Sequence, residues 1–360
     1  MVVPRTLLDK LRGLQVKESN RFYEAGMFPS QRKHPYFPYC REDSNIFYTA
    51  LIAFTLLPLL DRLPEEDRLL LAGIVAGIRG NYPRYASLST PGLYNFYRTN
   101  PSDHYPNGNI LRRFKHFKLA DDTDDTAIIN ATREQVTDTE LKVVRDELVR
   151  FSNLASKQIK HPLRKYEKLP AHAVWFGSGV MPVEFDLCVM ANILYFTFQQ
   201  GSELNETDRA SLDFIRRAVL DGDVVNHPFL VSYYYPDPSV IFYHLARLAT
   251  VMELPEEYLP VKEIVAGLQV QLTQATSLVE RLLLSTALLK LGQQPNPVDY
   301  TMDELEASFT SFSFFIAPML AGTRSRIMNY LAEFAVFQVE YVCEAYYYAL
   351  ALEYELLGQK

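Results

Sequence analysis

Apolar positions recur at three- and four-residue intervals through most of this chain, and strict apolar–polar alternation is scarce. Helical periodicity therefore dominates. The spacing predicts helices over 42–61, 64–79, 124–133, 137–157, 184–199, 206–220, 238–252, 258–273, 276–291, 302–313 and 325–357. Start signals support them. Asp43-Ser44 precedes the second apolar run, Thr137-Asp138-Thr139-Glu140 resembles a capping box, Thr207-Asp208 follows a polar turn, and Pro255-Glu256-Glu257 opens a further segment. Short turns such as Arg62-Leu63-Pro64 and Glu134-Gln135-Val136 join the helices in pairs. Longer loops rich in Pro, Gly, Asn and Tyr, at 80–108, 160–182 and 222–238, separate the pairs. With the amphipathic N-terminal segment there are about six helical hairpins, which predicts an all-α chain closed as an α/α toroid. An irregular helical bundle is the alternative. No Pro/Ser/Gly linker divides the chain, so a single domain over 1–360 is expected.

Composition narrows the function classes. Of 360 residues, 48% are hydrophobic and 22% charged, enough apolar material for an ordinary core. The formal net charge is -7 and no Lys/Arg block stands out, which points away from nucleic acid. Cys40, Cys188 and Cys343 are far apart, which argues against a disulfide scaffold or zinc site and fits a reducing cytoplasm. Met1 to Arg5 leads into an amphipathic pattern rather than a signal-peptide core. The most apolar run, Ile46 to Leu60, is 15 residues long and short of a bilayer span. It reads as a core helix, with peripheral membrane contact as the other reading. Tyr, Phe and Trp make up 13% of the chain, enough to wall an apolar cavity or to fill a core.

Asp121, Asp122, Asp124 and Asp125 place four carboxylates within five positions, just before Thr126-Ala127-Ile128-Ile129. Helix capping accounts for two of them. Crowded carboxyl groups push one another's pKa upward, and burial pushes further, so a cluster of this kind can hold a proton near neutral pH. The string Asp-Xaa-Asp-Asp-Thr-Ala at 122–127 resembles the acid motif of class II terpene cyclases, enzymes that protonate an alkene to start a cyclisation. That resemblance implies Asp124 as proton donor, Asp122 and Asp125 as residues that orient and tune it, and an isoprenoid substrate in an aromatic cavity. A diphosphate substrate would bring Mg²⁺. Read as Asp-Asp-Xaa-Xaa-Asp, the same residues resemble the magnesium-diphosphate motif of class I synthases, but the usual second metal motif is missing.

A second stretch, Val174-Trp175-Phe176-Gly177 followed by Val183 to Asn192, resembles a pattern in bacterial proteins of the terpene cyclase and protein-prenyltransferase toroid superfamily. There a Trp loop leads into a helix carrying an Asp and, six residues later, an Asn. Asp186 and Asn192 do not share one line of a helix, so Asp186 reads as a helix-start residue and Asn192 as a polar tie to a neighbouring loop. Trp175, Tyr233, Tyr234 and Tyr243 are the candidate substrate-binding aromatics, because aromatic faces stabilise cations. His227 or His244 would be the acid's hydrogen-bond partner. Phe334, Phe337, Tyr341, Ala345 and Tyr348 read as a core-facing stripe of the last helix. The chain departs from squalene-type cyclases in its single Trp and in having room for only one helical domain. A non-catalytic toroid that binds an apolar ligand or protein partner, and a glycan-active toroid using paired carboxylates, are the competing functions. Gly-rich phosphate loops, His-Glu-Xaa-Xaa-His and Gly-Xaa-Ser-Xaa-Gly motifs are absent from the sequence.

Overall fold

Residues 3–102, 119–155, 157–177, 182–251, 255–310, 312–321 and 325–358 are described by the computed structural model; the long loops at 80–108 and 160–182 lie partly outside them. Helix α1 (Pro4–Leu14) is followed by strands β1 (Ser30–Lys33) and β2 (Cys40–Asp43) and by α2 (Phe47–Leu56), α3 (Glu65–Arg79), α4 (Thr123–Thr132), α5 (Asp138–Arg150) and α6 (Leu187–Gln199). Then come α7 (Glu206–Leu220), the short α8 (Asp223–Asn226) and α9 (Pro228–Val231), α10 (Pro238–Val251), α11 (Val261–Gln274), α12 (Leu278–Lys290) and α13 (Met302–Ser308). The chain ends with β3 (Phe315–Pro318), α14 (Arg326–Leu331), β4 (Gln338–Val342) and α15 (Glu344–Gly358). Reciprocal capping boxes open α5 (Thr137 and Glu140), α7 (Asn205 and Asp208), α12 (Ser277 and Glu280) and α13 (Thr301 and Glu304), satisfying backbone N–H groups that helix geometry leaves free.

The strands correct the all-α expectation. The chain is 55% helical and carries a four-stranded antiparallel sheet in the order β2-β1-β4-β3, so it is mixed α/β rather than an all-α α/α toroid. The pairing sets Gln31 opposite Glu42 and Val342, and Phe315 opposite Tyr341. Two causes hid the sheet. Strands β1 (Ser-Gln-Arg-Lys) and β2 (Cys-Arg-Glu-Asp) are short and polar and give no period-two apolar signal. Strand β4 lies inside the segment expected as a helix over 325–357, where the spacing of Phe334, Phe337 and Tyr341 coincides with a helical stripe. Phe334 is in fact 62% exposed, and the last helix begins only at Glu344.

The helices divide by burial. α2, α4, α6, α10, α12 and α15 are buried along most of their length; for α2 and α6 this is expected of helices apolar on nearly every side, whereas α4 buries an acidic first turn. Each packs on the next in that order, and α15 returns to α2. The amphipathic helices flank them: α1 lies on α3 and α15, α7 on α6, and α11 on α10 and α12. The run from Ile46 to Leu60 therefore belongs chiefly to the core helix α2, which takes it away from any membrane face. Among the described residues no helix is long and apolar enough to cross a membrane. A main core extends from Leu7 to Leu356, and a smaller cluster of Phe229, Leu230, Tyr233, Ile316 and Ala332 lies beside it.

Candidate functional site

Asp122 ends an extended segment and caps α4. Its Oδ1 accepts the Asp125 backbone N–H at 2.7 Å. Its own backbone is bridged on one side to Tyr94 and on the other to Trp175. The Asp122 N–H donates to the Tyr94 carbonyl (3.1 Å), the Thr123 N–H to that of Val174 (2.9 Å), and the Phe176 N–H to that of Asp121 (2.9 Å). Thr126 Oγ1 accepts the Tyr94 N–H at 2.9 Å, which gives the Thr of the motif a positional task. Gly92 lets the approaching chain pass close to α5: its φ is +81°, and a Cβ there would meet Val144 at 2.8 Å. The first turn of α4, the segment at Tyr94 and the Trp175 loop thus form one hydrogen-bonded unit.

Asp122, Asp124 and Asp125 all line one cavity of about 30 Å³, close to the volume of a single water. Phe47, Phe96, Phe315, Trp175 and Tyr234 form its aromatic walls. The three carboxyl groups are buried (4%, 6% and 1% exposed) yet differ in their partners. Asp124 is held by two donors: Asn192 Nδ2 to Oδ1 at 2.8 Å, and the Tyr235 hydroxyl to Oδ2. Asp122 uses only Oδ1, for the cap, and its Oδ2 has no donor; neither oxygen of Asp125 has one. Burial pushes the Asp122 carboxyl up to about 7, against the relief given by Asp125. Burial pushes Asp125 well above the carboxylate range, and its contacts with Asp122 and Asp124 add to the rise. Burial also raises Asp124, but Tyr235, Asn192 and the guanidinium of Arg247 pull it back. Arg247, 4% exposed, sits between the rings of Phe54 (4.6 Å) and Tyr243 (4.7 Å).

Two further buried acids hold the walls in place. Asp186 caps α6 through the N–H groups of Cys188 (2.9 Å) and Val189 (3.1 Å). It also accepts from Ser232 Oγ (2.8 Å) and the Tyr234 N–H (2.9 Å), fixing the loop that carries Tyr233 to Tyr235. Burial raises it to about 7. Glu184 accepts both the Trp175 indole N–H (3.1 Å) and the Tyr234 hydroxyl (2.7 Å) on Oε2, clamping two cavity walls together.

The candidates separate accordingly. Asp122, Asp124, Asp125, Trp175 and Tyr234 converge on the cavity. Tyr233 lies elsewhere, packing on Phe229 in the smaller cluster. Tyr243 is not among the residues that line the cavity; its hydroxyl donates to Glu353 at 2.5 Å beneath Arg247. His227 is exposed and meets no carboxylate of the cluster. His244 is buried, but its Nδ1 is bonded to the Val240 carbonyl (2.8 Å) and it touches the site only through the ring of Tyr235 (4.9 Å between centroids). The hydrogen-bond partners of the acid are instead Tyr235 and Asn192. Asn192 reaches across to α4 rather than to a loop, and its signal in the sequence is that it is the one buried amide of the largely apolar α6. Asp121 turns the other way, accepting from Asn95 Nδ2 at 3.2 Å, so the Asp-Asp-Xaa-Xaa-Asp reading lacks a convergent set. Among the described residues no three His, Cys, Asp or Glu side chains form a metal-ligand group. Comparisons with protein-family models, curated proteins and solved structures find no match for this chain.

The buried acids also set a pH dependence of stability. Asp122 and Asp186, at about 7 in the fold against ~3.9 unfolded, hold protons that the unfolded chain has released. Their contribution therefore falls as pH rises from about 4 through about 7. His161 and His244, lowered by burial to about 4 and about 3, act in the opposite sense below ~6.5. Above that pH the unfolded histidines release their remaining half proton each, which returns ~0.4 kcal/mol per His, and the carboxyl groups decide the sign. Unfolding in urea is expected to become easier by about 0.8 kcal/mol between pH ~6.5 and ~8, roughly 0.8 lost for each Asp less roughly 0.4 returned for each His. A flat or rising profile across that interval would contradict the protonated state of these side chains.

Proposed function

We propose that this chain is a protonation-initiated, class II terpene cyclase-like isomerase acting on an isoprenoid. The observation that carries the reading is the convergence of Asp122, Asp124 and Asp125, all buried, on one aromatic-walled cavity. A carboxyl O–H there would give its proton to one alkene carbon, whose π pair forms the new C–H bond. The cation left on the other carbon meets the faces of Phe47, Phe96, Phe315 and Trp175 and the remaining carboxylate charge. The motif resemblance gives the donor role to Asp124. At about 30 Å³ the cavity is smaller than a prenyl unit, so binding requires its walls to part. Phe96, Phe315 on β3 and the loops bearing Trp175 and Tyr234 are the aromatic walls outside the buried helices.

The test is incubation with geranylgeranyl diphosphate, farnesyl diphosphate and squalene, with and without Mg²⁺, beside the Asp124→Asn chain. Cyclised product that disappears in the variant is expected. Binding of these compounds without turnover, unchanged by the substitution, would favour a non-catalytic apolar-ligand protein instead.

Peripheral membrane contact belongs to the same proposal, on a surface other than α2. Tyr36, Phe37, Ile327 and Phe334 are 69%, 58%, 72% and 62% exposed. His34 joins their two segments, packing on Phe37 (4.5 Å between centroids) and bonding the Val336 carbonyl (3.1 Å). Ala332, two residues before Phe334, belongs to the smaller apolar cluster, against which the cavity wall Tyr234 also packs. Aromatic and aliphatic side chains grouped on a surface suit the bilayer interface, where an isoprenoid would be dissolved. The protein is expected to sediment with phosphatidylcholine/phosphatidylglycerol vesicles, and an Ile327→Ser/Phe334→Ser chain to stay in solution. Equal behaviour of the two chains would remove this contact.

A further inference from the structure

Three buried carboxyl oxygens at the head of α4 stand without a donor: Asp122 Oδ2 and both oxygens of Asp125. Buried polar atoms without partners call for a physical account, since leaving them bare forfeits the hydrogen bonds that water would have made. One proton supplies it. Placed on Asp125, it turns that side chain into a donor toward Asp122, whose other oxygen is already committed to the α4 cap. Asp122 is the better anion of the two, because it accepts a backbone N–H at a helix N-terminus, where negative charge is favoured. Asp124 is in the opposite situation. Both its oxygens accept hydrogen bonds, from an amide that donates and from a phenol, and Arg247 lies within Coulombic reach. Donors on both oxygens favour the carboxylate.

We propose that Asp125, sharing its proton with Asp122, is the proton donor of this cavity, and that Asp124 remains the anion facing the cation that forms. This rests on the protonation reading above and divides its labour. In the step, the Asp125 O–H bond breaks, its electron pair stays on the Asp125 carboxylate, and the proton joins the alkene carbon through the π pair. The positive charge created lies beside Asp124, which needs no rearrangement to meet it. Among the described residues on the other face of the cavity, Trp175 and Tyr234 already donate their polar hydrogens to Glu184.

The test needs no substrate. Infrared difference spectra of the wild-type, Asp125→Asn and Asp124→Asn proteins, taken in H₂O and D₂O near pH 8, where Asp122 has become the anion of the pair, report the C=O stretch of protonated carboxyl groups. Loss of one such band in Asp125→Asn and its retention in Asp124→Asn are expected. Loss in Asp124→Asn with retention in Asp125→Asn, or no loss in either, overturns the proposal. Asp122→Asn gives a second reading should Asn at 125 prevent folding. It is expected to move the Asp125 band, since it replaces the group that shares the proton, and an unmoved band overturns the sharing. Because these spectra are independent of turnover, the expected bands in a protein inert toward every isoprenoid would sink the proposed function and leave the proton on Asp125.

Discussion

An Asp186→Ala chain is expected to lose about 3–5 kcal/mol of unfolding free energy, measured in urea with the slope of the transition unchanged. Asp186 gathers four donors in the interior: the Cys188 and Val189 N–H groups, Ser232 Oγ and the Tyr234 N–H. Losing the α6 cap costs about 1–2 kcal/mol. The Ser232 and Tyr234 donors, buried or half-buried, cost about 1–3 each when left bare. Removing a carboxyl whose charged form is disfavoured by burial returns part of this, which places the net near 4 rather than near 8. Asp186→Asn separates the contributions. Its amide oxygen still accepts for the cap, but its NH₂ cannot accept the Tyr234 N–H, so an intermediate loss of about 1–3 kcal/mol is expected. A loss below ~1 kcal/mol in the Ala chain would mean that the loop of Tyr233 to Tyr235 is held by its packing and not by this side chain.

The role of Asp186 shows what was legible in the sequence. Its place at a helix start is a local matter, and local chemistry reads well: the same holds for the capping box at Thr137, the amphipathic α1 and the entry of the acidic segment into α4. The hydrogen bonds from Asp186 to the loop, 46 and 48 residues onward, carry no local signal. The same limit governs the cavity. Its walls Phe47, Phe96 and Phe315 come from three distant segments, and each reads in isolation as an ordinary core residue. Tyr233, Tyr234 and Tyr235 are successive residues sent to different places, so composition drew attention to the right loop but could not divide its side chains. Asn192 illustrates the intermediate case. Six residues on from Asp186, it is rotated off that residue's line, which correctly separates the two but does not say that α4 lies on the other side. The sheet was hidden more deeply, since a polar four-residue strand is specified by its partners and not by its own pattern.

The largest effect on activity is expected from Asp125→Asn, which should reduce product formation from the accepted isoprenoid by at least about 1,000-fold. General acids contribute roughly 100- to 10,000-fold where solvent can substitute for them. Here the acid lies 1% exposed in a cavity that holds about one water, so no bulk donor replaces it. Asp124→Asn should also impair the reaction, by a different route. It leaves the shared proton in place but removes the charge opposite the cation and abandons the Tyr235 hydroxyl, a loss of electrostatic stabilisation of about 100- to 1,000-fold. Tyr235→Phe tests that distinction from the side of the donor. It deprives the Asp124 anion of one of its two hydrogen bonds while leaving Asp122 and Asp125 untouched, so turnover should fall less than in Asp124→Asn. The pH profile carries the sign of the acid: the competent form is protonated, so activity should be level through pH ~7, where Asp122 becomes the anion of the pair, and decline only at higher pH, where Asp125, held well above the carboxylate range, gives up its proton. Activity that rises through that range would require a base instead, and the cluster at the head of α4 would then be acting as a carboxylate.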